Sequence, residues 1–157
     1  MGSGIAHTTC SGTSPPHLAL LGAGVKRGED VITAVNTFIG TTEAITHAGA
    51  RPVLVDVEES TQLIDPARVE AAITPKTTCI VPVHLYGQPA DMDAIRDIAK
   101  RRGLKVVAGA AQSHGARLPA SREPAAVYGD CGNRPGRRRA GERVSRDSRR
   151  RRAYLGG

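Results

Sequence analysis

Residues 79–93, Cys79-Ile80-Val81-Pro82-Val83-His84-Leu85-Tyr86-Gly87-Gln88-Pro89-Ala90-Asp91-Met92-Asp93, decide the reading of the fold. The stretch opens as a nearly unbroken apolar run. Without polar alternation, such a run predicts a strand over Cys79–Leu85 that is covered on both faces. Gly87 and Pro89 then mark a loop. Asp91 starts the strongest helix of the chain, over Asp91–Arg102, with Met92, Ile95, Ile98 and Ala99 as its apolar stripe. Asp91 and Asp93 lie at its positive end, Lys100, Arg101 and Arg102 at its negative end, and Gly103 follows as a C-terminal cap. A further buried strand, Lys105–Val107, comes next. Strand, loop, helix, strand is the repeating unit of a parallel sheet.

The same alternation extends toward the N-terminus. Apolar runs at Val31–Thr33 and Pro52–Val57 predict two more strands. Between them, Phe38, Ile39, Ala44, Ile45 and Ala48 fall near helical spacing within and just beyond Thr37–His47. Asp65-Pro66 is a helix start, an N-cap followed by proline at the first helical position, and Val69, Ala72 and Ile73 share a face behind it. The order β-α-β-α-β-α-β makes the fold α/β with a parallel sheet. Leu20-Leu21-Gly22-Ala23-Gly24 is not a dinucleotide fingerprint. The next glycine, Gly28, is one residue late, and a strand begins where a long helix is needed.

Charge divides the chain. Of its 22 Lys+Arg and 15 Asp+Glu, 12 Arg and 4 acids fall in residues 117–157, which leaves 1–116 at a net −1 and the end at +8. The overall +7 therefore describes the tail and not the folded part. Within that tail only Leu118, Val127, Val144 and Leu155 are large aliphatics, too few to offset ordering entropy by burial. We expect residues 1–117 to form a partial α/β domain and 118–157 a disordered Arg/Gly/Pro-rich tail. That composition is what a GC-rich gene gives when read out of frame. Arg149–Arg152 raise the alternative of a basic-tailed nucleic-acid-binding protein. A solvated tail is the favoured reading, because only Tyr128 and Tyr154 are there to stack on bases.

Cys10, Cys79 and Cys131 have no disulfide or zinc spacing, and the five histidines have no metal-ligand spacing. No metal site is expected. The chain has no secretory h-region and no membrane span, so a cytoplasmic location is expected.

Three short motifs carry chemistry. Gly12, Thr13 and Ser14 lie ahead of a helical run, His17–Leu21. Hydroxyls and free N–H groups at a helix start suit a phosphate, and an ordinary N-cap is the plainer alternative. Phe38, the sole phenylalanine, follows a strand, where an aromatic is usually core. Gln112 and His114 end the small-residue turn after Lys105–Val107, where parallel sheets bind ligands. His84 on an apolar strand reads as a satisfied core histidine.

With these motifs in order, the chain resembles the DegT–StrS type of pyridoxal-phosphate (PLP) sugar aminotransferases over roughly residues 8–117. Residues 81–93 are close to identical to that family's Pro-Val-His-Leu-Tyr-Gly-x-Pro-Ala-Asp-Met-Asp. Residues 108–115 match its Glu-Asp-Ala-Ala-Gln-x-His-Gly. The resemblance implies a large domain of the PLP-transferase kind, fold type I and aspartate-aminotransferase-like, in a homodimeric family. It implies PLP as cofactor, a nucleotide-linked keto-sugar as substrate and an amino acid as donor. By the same resemblance Gly12, Thr13 and Ser14 hold the phosphate, Phe38 stacks on the ring and Gln112 meets the ring oxygen. Three departures stand out. Pro15-Pro16 replace the family's Ala-Leu. Gly109 stands where the family's Asp pairs the ring nitrogen. The four lysines, Lys26, Lys76, Lys100 and Lys105, all precede His114, whereas the family's Schiff-base lysine follows it. No catalytic residue is therefore assigned, and the expectation is an inactive, truncated relative. A non-catalytic partner of a full-length relative is the remaining alternative.

Overall fold

The computed structural model describes residues 13–113. The expectations for Gly12, His114 and the basic tail lie outside the described residues. The elements run α1 (Ser14–Gly22), β1 (Asp30–Ala34), α2 (Ile39–His47), β2 (Arg51–Val55), α3 (Pro66–Ala71), β3 (Thr77–Val81), α4 (Met92–Arg102) and β4 (Lys105–Val106), with a 3-10 turn at Leu85–Gly87. Among the described residues these four strands pair in parallel, in the order β2-β1-β3-β4, and one isolated antiparallel bridge joins Val57 to Ile64.

The order follows from where the crossovers travel. The β1-to-β2 connection moves one way along the sheet, and the next two move back past β1. Right-handed crossovers in opposite directions put their helices on opposite faces. Alternation along the strands matches this. Ile32 and Ala34 of β1, with Ile80 and Val106, pack beneath α3 and α4 against Val69, Ile95 and Ile98. Val31, Val81 and Val107 turn the other way, against Leu20 of α1 and Ile45 of α2. Thr33 is buried at the centre, and its hydroxyl donates to the Val81 carbonyl at 2.9 Å, so the polar atom is satisfied.

The helix ends behave as their sequences predict. Asp65 accepts from the Ala67 N–H at 2.8 Å and Asp91 from the Ala94 N–H at 3.0 Å. Gly103 adopts φ 68° and ends α4, a conformation that costs a glycine nothing. Pro15 and Pro16 are accommodated in the first turn of α1.

Three expectations need correction. β2 lies at an edge of the described sheet, and it is not covered on both faces, because Arg51 and Leu54 are exposed on it. The strand expected over Cys79–Leu85 ends at Val81. Pro82 cannot donate to a ladder, and the chain passes through one isolated bridge, Val83 to Gly109, into the 3-10 turn. Phe38 and Ile39 do not belong to the apolar stripe of α2. They are exposed at its start, while Ala44 and Ile45 carry the burial. No helix among the described residues is long and apolar enough to cross a membrane.

Candidate functional site

The chain leaves β1 and β3 in opposite directions along the sheet, so a crevice opens beyond their carboxyl ends. That is the place where open α/β sheets take ligands. A cleft of about 320 Å³ lies there. The starts of α1 and α2 supply Thr13 and Pro16, and Phe38, Gly40 and Thr41. Val83 follows β3, and Gly109, Ala111 and Gln112 follow β4. Three residues singled out from sequence, Thr13, Phe38 and Gln112, thus meet in one cleft although they are far apart in the chain. Ser14 is the first residue of α1, next to the cleft but not among the residues lining it.

Two helix starts face this cleft, and their positive ends favour an anion. The donors are unequal. Pro15 and Pro16 bring no N–H to the first turn of α1. The first turn of α2 retains its N–H groups, with the Thr41 N–H turned back to the Phe38 carbonyl at 2.9 Å. Thr13 caps α1 with no side-chain capping bond, so its hydroxyl is not spent on the helix. Beside it, the Thr37 and Thr41 hydroxyls bond each other at 3.1 Å.

Phe38 is 63% exposed, so it is not the core aromatic its position suggests. Gly40 explains how its ring reaches the helix start. A Cβ at residue 40 would lie 2.9 Å from both Phe38 Cε1 and Thr13 Oγ1. The missing side chain lets ring and hydroxyl approach the same point. Among the described residues Gln112 is tied down by one bond, its Oε1 accepting from the Tyr86 N–H at 3.1 Å. Gly109 forms part of the floor. A Cβ there would meet Val83 Cγ2 at 3.3 Å. Among the described residues, no carboxylate and no lysine lines the cleft. Lys105, in the adjoining strand, donates its Nζ to the Ala23 carbonyl at the end of α1.

His84 is the buried core histidine expected, 1% exposed, with Nδ1 accepting from the Ala90 N–H at 3.1 Å. Burial, and secondarily the charge of Arg96, holds its pKa below the ordinary histidine value, which favours the neutral ring. It fixes the loop after β3 and does not line the cleft. A second cavity of about 290 Å³ lies between Leu63–Ile64 and the start of α4, with Glu58, Asp91 and Asp93 in its wall. Its acidic rim suits no phosphate. No group of three or more potential metal ligands occurs among the described residues.

Sequence reading missed Gly40, Thr41 and the Tyr86 backbone. A glycine inside a helix that otherwise reads well was the available signal for the first. Nothing local signals the other two.

Comparison with known proteins gives this geometry a context. Residues 1–132 match the model of the DegT/DnrJ/EryC1/StrS aminotransferase family. A pleiotropic regulatory protein of Geobacillus stearothermophilus is 55% identical over 107 residues, which are 68% of this chain and 29% of that protein. A dTDP-3-amino-3,4,6-trideoxy-alpha-D-glucose transaminase of Micromonospora megalomicea subsp. nigra is 53% identical over 116 residues, 73% of this chain and 31% of that protein. Among solved structures, NtdA of Bacillus subtilis with bound cofactor PMP is similar with a TM-score of 0.66 and 45% identity, over 67% of this chain and 24% of that one. The chain spans about three-tenths of the length of the two curated relatives.

Proposed function

The chain belongs to the DegT/DnrJ/EryC1/StrS aminotransferase family, and from that premise we propose that residues 13–113 form the cofactor-holding part of a PLP-dependent aminotransferase acting on nucleotide-linked keto-sugars. The observation that carries the reading is the convergence of Thr13, Phe38 and Gln112 on one cleft at the switch point of the sheet. The reading extends to a cytoplasmic location and to an amino acid as amino donor, as the family resemblance implies.

When bound, PLP supplies an electron sink for moving an amino group. The residues of this chain hold it. The Thr13 hydroxyl and the N–H groups of the first turn of α2 would take the phosphate, with Gly12 and, from the next position along, Ser14 joining them as the family resemblance implies. Phe38 offers its exposed face to the ring, where an electron-poor pyridinium gains most from a π surface. Gln112 would offer an amide N–H to the ring oxygen. The fit stops there. Gly109 provides no carboxylate to the ring nitrogen, and no lysine reaches the cleft. The chain therefore binds the cofactor without performing the transfer by itself.

Titration of the 157-residue chain with PLP, followed by absorbance, tests this. Saturable one-to-one binding is expected, with no lysine labelled stoichiometrically after borohydride reduction and no amino transfer to a keto-sugar nucleotide. A folded chain that fails to saturate overturns the binding role. Sustained transfer by the purified chain overturns the assignment of inactivity.

A further inference from the structure

The segment His84-Leu85-Tyr86-Gly87 shows no nucleophile and no acid–base pair, yet its backbone is unusual. Tyr86 has φ 57° and Gly87 φ 82°, two consecutive left-handed residues. For a tyrosine this conformation is strained. Burial of the ring does not compensate, because Tyr86 is 77% exposed.

The turn is held from three sides. Parallel pairing continues past β3 and β4, with the Gly109 N–H donating to the Pro82 carbonyl at 2.8 Å and the His84 N–H to the Gly109 carbonyl at 2.9 Å. The buried His84 ring takes the Ala90 N–H and closes the loop from inside. The Gln88 N–H donates to the Leu85 carbonyl at 3.0 Å across the turn. The left-handed backbone then aims the Tyr86 N–H at Gln112 Oε1, 3.1 Å away. It also sets Gly87 against the Gln112 backbone, where a Cβ would be 3.7 Å from the carbonyl oxygen.

We propose that the Leu85–Gly87 turn is a positioning device for Gln112, in which the Tyr86 N–H holds Oε1 and thereby turns the Nε2 donors to an acceptor oxygen of the ligand in the cleft. An amide whose oxygen is anchored by a donor has its NH2 group as the free end, with two N–H donors to present. Gln112 is otherwise exposed, and an untethered glutamine would sample many rotamers. Fixing it beforehand removes that cost from binding. The ligand half of this inference rests on the proposed cofactor reading, and the tether itself does not.

The test uses the 157-residue chain and PLP as probe. In the unliganded chain, hydrogen exchange at the Tyr86 amide should be about ten-fold slower than in Gln112→Ala. A donor on the ring oxygen stabilises its ionised form, so bound PLP should keep its ring-phenolate band to lower pH than in Gln112→Glu, which preserves the contact to Tyr86 but has no N–H. Binding should weaken at least about ten-fold in Gln112→Glu, which loses one hydrogen bond to a charged group and sets a carboxylate against it. Tyr86→Val, β-branched and resistant to the left-handed region, should weaken it several-fold with the same spectral shift. Tyr86→Gly, which keeps the N–H and tolerates the turn while removing the phenol, should weaken binding less than Tyr86→Val. Loss of affinity in Tyr86→Gly equal to that in Gln112→Glu would assign the effect to the phenol and overturn the proposal. An unprotected Tyr86 amide overturns the tether even where PLP binds. A wild-type chain that fails to bind PLP overturns the cofactor reading, and the ligand half falls with it.

Discussion

Gly109→Asp restores the carboxylate that the family sets against the ring nitrogen, and its consequence can be worked out from the cleft floor. The backbone at Gly109 is held on both sides, donating to Pro82 and accepting from His84. It does not occupy the left-handed region, so aspartate fits the conformation. The new Cβ would stand 3.3 Å from Val83 Cγ2 and 3.5 Å from Cγ1. Val83 is only half-buried and can yield by a few tenths of an ångström, so packing costs about 1 kcal/mol of stability. A carboxylate meeting a protonated pyridine gains a charge-assisted hydrogen bond of about 1.5–3 kcal/mol. Affinity for PLP should rise by about ten- to a hundred-fold. The assay is an absorbance titration at pH 7 of wild type, Gly109→Asp, Gly109→Ala as the packing control and Gly109→Asn as the neutral isostere. Only the aspartate variant should bind more tightly, and amino transfer should remain at background because no lysine reaches the site. An aspartate variant no tighter than the alanine one would refute the placement of the ring nitrogen over Gly109. Turnover in that variant would refute the need for a lysine.

The remaining predictions concern the frame. Because His84 has a lowered pKa in the folded chain, the unfolded chain takes up a proton first as pH falls. Stability should be full above about pH 6.5 and decline below it until the folded pKa is reached. His84→Asn, which can still accept the Ala90 N–H, should flatten that decline in denaturant titrations across pH. Asp30 is buried, with its carboxylate on Arg51 at 2.8 and 2.9 Å and on the Thr74 hydroxyl at 3.1 Å. Arg51, then Thr74, outweighs burial and holds its pKa below the usual carboxylate value. Its stabilisation is therefore present above about pH 4 and lost as pH falls through the folded pKa. Asp30→Ala should cost about 1.5–3 kcal/mol at pH 7 in urea unfolding. Ile95→Ala, at a fully buried position under the sheet, should cost about 2–5 kcal/mol by the same measurement.

Much of the fold was legible because local chemistry decides it. The caps at Asp65, Asp91 and Gly103 act through residues within one turn, and the apolar runs needed only their own composition. Strand order was not legible. An apolar run reports burial, but Arg51–Val55 gains its edge position from the direction of the β1-to-β2 crossover, which no residue in it encodes. Pro82 was a visible ladder breaker, outweighed in reading by the aliphatics around it. In the site, the motifs led to Thr13, Phe38 and Gln112, while Ser14 stands just outside the lining. Gly40 matters through Phe38 and Thr13, and Tyr86 through a bond to a residue 26 positions away. Such contacts appear only once the chain has folded.

The location of the ligand is the centre of this account, and mapping it by NMR is the most direct measurement. The 15N-labelled chain would be titrated with pyridoxamine phosphate, the amine form of the cofactor, which forms no adduct with lysines. Amide shifts should concentrate at Thr13, Phe38, Gly40, Thr41, Gly109 and Gln112 and saturate at one equivalent. Shifts gathered instead at Glu58, Leu63 and Asp91–Asp93 of the second cavity, or scattered without saturation, would contradict it.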